Sequence, residues 1–178
     1  MKKEHFCQDL SQCHITFFSS LSHILITTCK NIKKLLASNW MLHNLQNLSS
    51  LYVPRCEEME EIIASESKME EKGISSASFK FTLPKLRDLH LCNIPELKSI
   101  CGANGVMVCD SIQNIEISNC PKLKWIPLNF PLQDDGQPSL PPSIGTIRIC
   151  PKEWWELVEW NHPNAKSLLE PYINKMYW

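Results

Sequence analysis

One spacing of apolar residues returns four times along this chain and limits what it can fold into. Phe18, Leu21, Ile24, Ile26, Cys29, Ile32 and Leu35 form the first set, and Leu45, Leu48, Leu51, Val53, Cys56, Met59 and Ile62 the second. The third is Leu83, Leu86, Leu89, Leu91, Ile94, Leu97 and Ile100; the fourth is Cys109, Ile112, Ile115, Ile117, Cys120, Leu123 and Ile126. All read L-xx-L-xx-L-x-L-xx-C/I-xx-L-xx-L. A fifth, degenerate copy runs through Leu140, Ile144, Ile147 and Ile149, after which Cys150-Pro151 replaces the expected spacing. In each copy the central L-x-L has period two, so it is a short strand whose apolar residues point one way and whose middle residue points the other. A unit this small cannot bury its own apolar face, so successive units must stack, their strands forming a parallel sheet.

The strand anchors Ile24, Leu51, Leu89, Ile115 and Ile147 are 27, 38, 26 and 32 residues apart. Two of these periods fit a leucine-rich repeat of about 20 to 29 residues, and the other two need insertions. The expected fold is α/β, a leucine-rich-repeat solenoid of about five irregular repeats with one parallel β-sheet and a short helical cap at its C-terminal end. Residues 1–15 form an N-terminal extension, 16–150 the solenoid and 151–178 a Trp-rich cap around Trp154, Trp155 and Trp160. An acidic insertion occupies 57–78, its stretch from Ser65 to Ser78 expected as a solvated loop or frayed helix. A second insertion at 127–142, with Pro127, Pro131, Pro138, Pro141 and Pro142, forbids a regular helix and is expected as a surface excursion.

Composition narrows the function classes. The 178 residues are 43% hydrophobic and 21% charged with a formal charge of −1, so no global field draws the chain to nucleic acid or to an anionic membrane. No apolar run approaches the roughly 18 residues of a spanning helix. The first residues imitate a weak signal peptide, but Glu4, Asp9, His14 and His23 interrupt it. Nine cysteines with no CxxC pair predict free thiols and a cytoplasmic protein. Cys29, Cys56 and Cys120 share one repeat position with Ile94, which makes it an apolar site; a Cys29 to Cys56 bridge is within reach of stacked strands but not expected in a reducing cytosol.

With these residues in view, a family resemblance emerges. The rows from Leu48, Leu86 and Ile112, with cysteine where many leucine-rich repeats carry asparagine, resemble plant intracellular nucleotide-binding leucine-rich-repeat disease-resistance proteins of the coiled-coil class. The acidic run Cys56 to Ile63, the Cys120-Pro121-Lys122-Leu123-Lys124 turn and the tail from Glu153 to Ala165 are similar to the C-terminal end of that family. Such receptors carry a phosphate-binding G-xxxx-G-K-[ST] loop, and none of the five glycines here is followed by lysine in that frame. The resemblance therefore implies the recognition and autoinhibitory end of an innate immune receptor without its nucleotide switch, as a truncated product or a fragment. Its partner would be a protein: a pathogen effector, a guarded host protein, or a nucleotide-binding module. The alternative is a stand-alone adaptor or decoy, which would leave an exposed edge strand near residues 21 to 27.

The middle residue of each strand is the candidate binding position. These are Leu25, Tyr52, His90, Glu116 and Arg148, expected as one column on the open face at about 4.8 Å per strand and flanked by Arg55, Arg87, Asp88, Gln113 and Asn114. Other constellations are weaker. His5, Cys7, Cys13 and His14 are zinc-ligand types, but C-x5-C-H matches no structural zinc spacing. His90 and Cys92 share a strand face, yet no orienting acid or oxyanion donor can be named for a nucleophile pair. The three tryptophans are expected to close the last open strand rather than to form a platform. No catalytic residue, cofactor or metal is expected.

Overall fold

A computed structural model describes residues 14–18, 22–36, 45–63, 79–102 and 105–175. The zinc-type residues His5, Cys7 and Cys13, and the stretch from Ser65 to Ser78, lie outside the described residues. Among these residues the main sheet has seven strands: β1 (His14–Phe18), β2 (His23–Thr27), β4 (Ser50–Pro54), β7 (Asp88–Cys92), β10 (Asn114–Ser118), β12 (Thr146–Cys150) and β14 (Ile173–Lys175), neighbouring in that order. From β2 to β14 every pairing is parallel. The repeat anchors meet in register: Ile24 opposite Leu51, Leu51 opposite Leu89, Leu89 opposite Ile115, and Ile115 opposite Ile147. Leu51, Val53, Leu89, Leu91, Ile115 and Ile117 are buried, as the spacing predicts.

The backbone explains the L-xx-L frame. Before each strand the chain makes one tight turn, with Leu48 N–H donating to Leu45 O, Leu86 to Leu83, Ile112 to Cys109 and Ile144 to Pro141. Both ends of that turn are apolar because both face the core. After the strand the turn recurs from Met59 to Cys56, Leu97 to Ile94 and Leu123 to Cys120. Between strand and second turn one residue takes a left-handed conformation: Thr28, Arg55, Asn93 and Asn119, with φ of 53, 57, 56 and 52°. Asparagine tolerates that region better than most side chains do. Each of the four spends its N–H on the end of the next strand, at Pro54 O, Cys92 O, Ser118 O and Cys150 O, so the sharp corner leaves no orphaned donor. The residue that follows is buried, Ile94 in one copy and a cysteine in the other three, and two of those thiols reach the preceding strand: Cys56 Sγ donates to Ile26 O at 3.7 Å and Cys120 Sγ to Leu91 O at 3.6 Å.

Four features depart from the sequence reading. First, the parallel sheet is not the only one. The return path is extended too, and β3 (Lys34–Leu36), β5 (Glu61–Ile63) and β8 (Ser99–Cys101) form a three-stranded parallel sheet. Two parallel pairs, β6 (Phe79–Thr82) with β9 (Gly105–Val108) and β11 (Trp125–Ile126) with β13 (Glu159–Trp160), complete the set. Second, the edge near residues 21 to 27 is not exposed, because β1 lies antiparallel along β2 from His14–Thr27 to Phe18–His23 and runs across the boundary drawn at residue 15. Third, the Pro-rich segment is partly packed: Leu128 and Phe130 are buried, and Leu128 bridges Met107 beside β9. Fourth, the C-terminal segment is more than helical. The helices α1 (Lys152–Leu157) and α2 (Ala165–Leu169) are short, and the chain then returns as β14. Trp154 and Trp155 are buried, the first donating from Nε1 to Leu123 O at 2.7 Å and the second to Glu170 Oε2 at 2.8 Å.

Candidate protein-interaction face

Parallel pairing turns five separate strand centres into one row. Leu25 lies opposite Tyr52, Tyr52 opposite His90, His90 opposite Glu116 and Glu116 opposite Arg148. β14 adds Asn174 beyond Arg148, a member that the single apolar residue Ile173 was too weak a signal to reveal. Alternation along each strand keeps the neighbours of these residues in the core and leaves the row itself facing outward.

The row is tied together sideways. The Tyr52 and His90 rings stack with centroids 4.2 Å apart and planes 10° from parallel. His90 Nδ1 lies 3.3 Å from Glu116 Oε2, and the same oxygen is 3.7 Å from the Arg148 guanidinium. Side-chain exposures of 18% for His90, 25% for Glu116 and 45% for Arg148 show the row becoming more open toward the C-terminal end. One residue pair earlier on the same face, Asp88 accepts from Ser50 Oγ at 2.9 Å and from Asn114 Nδ2 at 2.7 Å. Burial, followed by the negative charges of Asp88 and Glu116, pushes the Tyr52 phenol above its ordinary value. At neutral pH it stays a neutral hydrogen-bond donor.

The flanking residues divide. Asp88 and Asn114 belong to the face, whereas Arg87 and Gln113 stand just before the strands, where their carbonyls each accept two N–H groups of the next repeat. Arg55 sits at a left-handed corner and lines a separate groove of about 450 Å³ with Thr28, Lys30, Glu57, Asn93, Pro95 and Asn119. That groove was legible in principle, since each of its corner residues precedes the buried Cys or Ile of its repeat. His90 and Cys92 stand two residues apart on β7. Cys92 Sγ lies 3.9 Å from Glu116 Oε1, and burial, aided by the charge of Glu116, raises the thiol although a bond to Ser118 opposes this, so the reactive thiolate is disfavoured. Among the described residues no group of three or more His, Cys, Asp or Glu side chains is placed to hold a metal ion, and no helix is long and apolar enough to cross a membrane.

A sequence model described as plant disease resistance protein RPS2-like, leucine-rich repeats, matches residues 1–132, more than half of the chain. The chain belongs to this leucine-rich-repeat family. Its relatives agree. Disease resistance protein At4g27190 of Arabidopsis thaliana is 27% identical over 157 residues, covering 87% of this chain and 13% of its own length. Probable disease resistance proteins At4g14610 and At1g12290, also of Arabidopsis thaliana, are 32% and 33% identical over 144 residues, covering 80% of this chain and 18% and 14% of theirs. The chain thus spans less than a fifth of the length of these relatives. No solved structure matches it. The face described above is therefore the strand face of an RPS2-like leucine-rich-repeat region of the plant disease-resistance type.

Proposed function

We propose that this chain is the recognition and autoinhibitory module of a cytoplasmic plant immune receptor, a non-catalytic solenoid of about five irregular leucine-rich repeats that works by binding protein. One observation carries the reading: Leu25, Tyr52, His90, Glu116 and Arg148 stand in one register on adjacent strands, with an aliphatic, an aromatic, an imidazole and both signs of charge in sequence. Side chains seated on strands of a packed sheet are held more firmly than those on loops, and chemically varied rows give a partner several independent points of discrimination. Aromatic and arginine side chains are also the types that dominate binding hot spots. The family membership supports a disease-resistance context. The partner in this reading is a pathogen effector, a guarded host protein or the receptor's own nucleotide-binding module.

The test is affinity purification of the tagged chain from plant leaf tissue beside the variant Tyr52→Ala/His90→Ala/Arg148→Ala. Proteins recovered with the native chain are expected to be lost from the variant, while its melting temperature changes little because each position is away from the core. Undiminished recovery with the variant would place recognition elsewhere. The tryptophan cluster is a poor rival platform, because Trp154 and Trp155 are buried in the C-terminal cap.

A further inference from the structure

The charges on the strand face do not cancel, and the imbalance is local. Glu116 already has a cationic partner, the Arg148 guanidinium at 3.7 Å. Asp88 has none of that kind. Its carboxylate is fixed by the hydroxyl of Ser50 and the amide of Asn114, both neutral, and no cationic side chain among the described residues lies within ion-pair distance of it. A carboxylate offers about four lone-pair sites, so roughly two remain open after these two bonds. Asp88 shares its strand face with His90 two residues on, and Ser50, its in-register partner, stands two residues before Tyr52. Asp88 is thus the diagonal neighbour of Tyr52 across one strand pair, a separation long side chains can bridge. The Tyr52 hydroxyl makes no hydrogen bond within the described residues.

We propose that the Tyr52–His90 stack and the Asp88 carboxylate together form a seat for a guanidinium, so that the protein partner of this face presents an arginine side chain to it. The proposal rests on reading this face as the interface. An aromatic ring attracts a cation through its quadrupole, and the nearby carboxylate adds a charge and hydrogen-bond acceptors. Beside the larger effect of burial, the charges of Asp88 and Glu116 both push the Tyr52 phenol up, in keeping with two carboxylates near that side chain. A guanidinium is flat, weakly hydrated and forked, so it satisfies ring and carboxylate at once, whereas an ammonium is a compact, strongly hydrated point charge. An incoming carboxylate or phosphate would instead meet the uncompensated Asp88, with Arg148 already committed to Glu116.

The probe is the peptide acetyl-Gly-Arg-Gly-amide, titrated into the isotope-labelled full chain and followed by two-dimensional amide NMR, beside the same peptide carrying citrulline or lysine. The arginine peptide is expected to shift amides in 50–54, 88–92 and 114–118, and to bind about two- to fivefold more tightly than either control. Asp88→Asn, which keeps the shape of the hydrogen-bonding group, is expected to erase that preference while the spectrum otherwise shows an intact fold. Tyr52→Ala should do the same. Absent or scattered shifts, equal shifts from citrulline, equal binding of lysine, or an unchanged preference in Asp88→Asn would each overturn the proposal. The two readings fail separately. A silent titration combined with partner loss in the triple alanine variant removes only the guanidinium seat, whereas partner retention in that variant removes the interface itself.

Discussion

Leu89 is the most informative core position, because its strand β7 is the fourth of seven in the main sheet. The side chain is 0% exposed, and its in-register neighbours Leu51 and Ile115 are each 1% exposed, so it has packed apolar residues on both sides. Leu89→Ala removes about three carbons, worth roughly 2.4 kcal/mol at about 0.8 kcal/mol per buried methylene. The cavity adds to this, since hydrogen-bonded strands on both sides prevent the gap from closing. The total belongs in the upper part of the range of about 2 to 5 kcal/mol seen for such truncations, near 3 to 5. For a chain of this size that corresponds to a fall of about 10 °C in melting temperature. Urea unfolding followed by circular dichroism and tryptophan fluorescence measures it, with Leu89→Met, expected to cost under about 1.5 kcal/mol, as the volume-conserving control. Five of the six tryptophans, Trp125, Trp154, Trp155, Trp160 and Trp178, follow β7 in the sequence and Trp40 alone precedes it. Fluorescence therefore weights the C-terminal half, and its agreement with circular dichroism also tests whether the halves unfold together. A loss below about 1 kcal/mol at unchanged denaturant slope would refute the shared core.

Further outcomes follow from the same packing. Trp155→Ala is expected to cost about 3 to 5 kcal/mol, because the ring is 1% exposed and its Nε1 donates to Glu170; an unaltered urea midpoint would show that the cap does not close the sheet. Burial pushes the thiols of Cys101, Cys109 and Cys120 up to about 12, whereas an unfolded thiol loses its proton near about 8.5. Between these values the unfolded chain binds fewer protons than the native one, so stability present below about pH 8.5 is lost as pH rises. Urea midpoints should fall across that range, with a shallower slope in Cys120→Ala; equal slopes would contradict the assignment. At Gly105 any Cβ would collide with the Cys101 carbonyl, so Gly105→Ala is expected to lower the melting temperature, and no change would show that the approach of β9 to Cys101 is not tight.

Most of the main sheet was legible because period-two and i, i+3 spacings recur in one frame, and each spacing corresponds to one backbone device. The L-x-L is the strand, and two of the xx spacings, such as Leu45 to Leu48 before it and Cys56 to Met59 after it, are turns closed by one hydrogen bond with both ends in the core. What escaped was carried by pairing rather than by pattern. β14 holds a single core-facing isoleucine, and nothing local distinguishes Ile173–Lys175 from a loop until β12 supplies its partner. The same is true of the three-residue strands β3, β5 and β8, whose apolar positions are in the repeat frame but whose extended backbone is decided by stacking.

The face was legible for a different reason, and only as positions. Once the anchors are in register, the residue between them is fixed to the opposite side, and insertions do not disturb this: 38 residues separate Leu51 from Leu89, yet they pair as directly as Leu89 and Ile115, which are 26 apart. The described chain resumes at β6, which finds its own parallel partner in β9. Identity along the row could therefore be read from sequence, but charge balance could not. Asp88 and Glu116 are both acids on outward positions; what separates them is that Glu116 falls between His90 and Arg148 in register whereas Asp88 falls between Ser50 and Asn114. One carboxylate thereby lies beside a cationic side chain within the sheet and the other is fixed only by neutral donors, so the two acids differ in charge balance although both stand at outward positions of the same face.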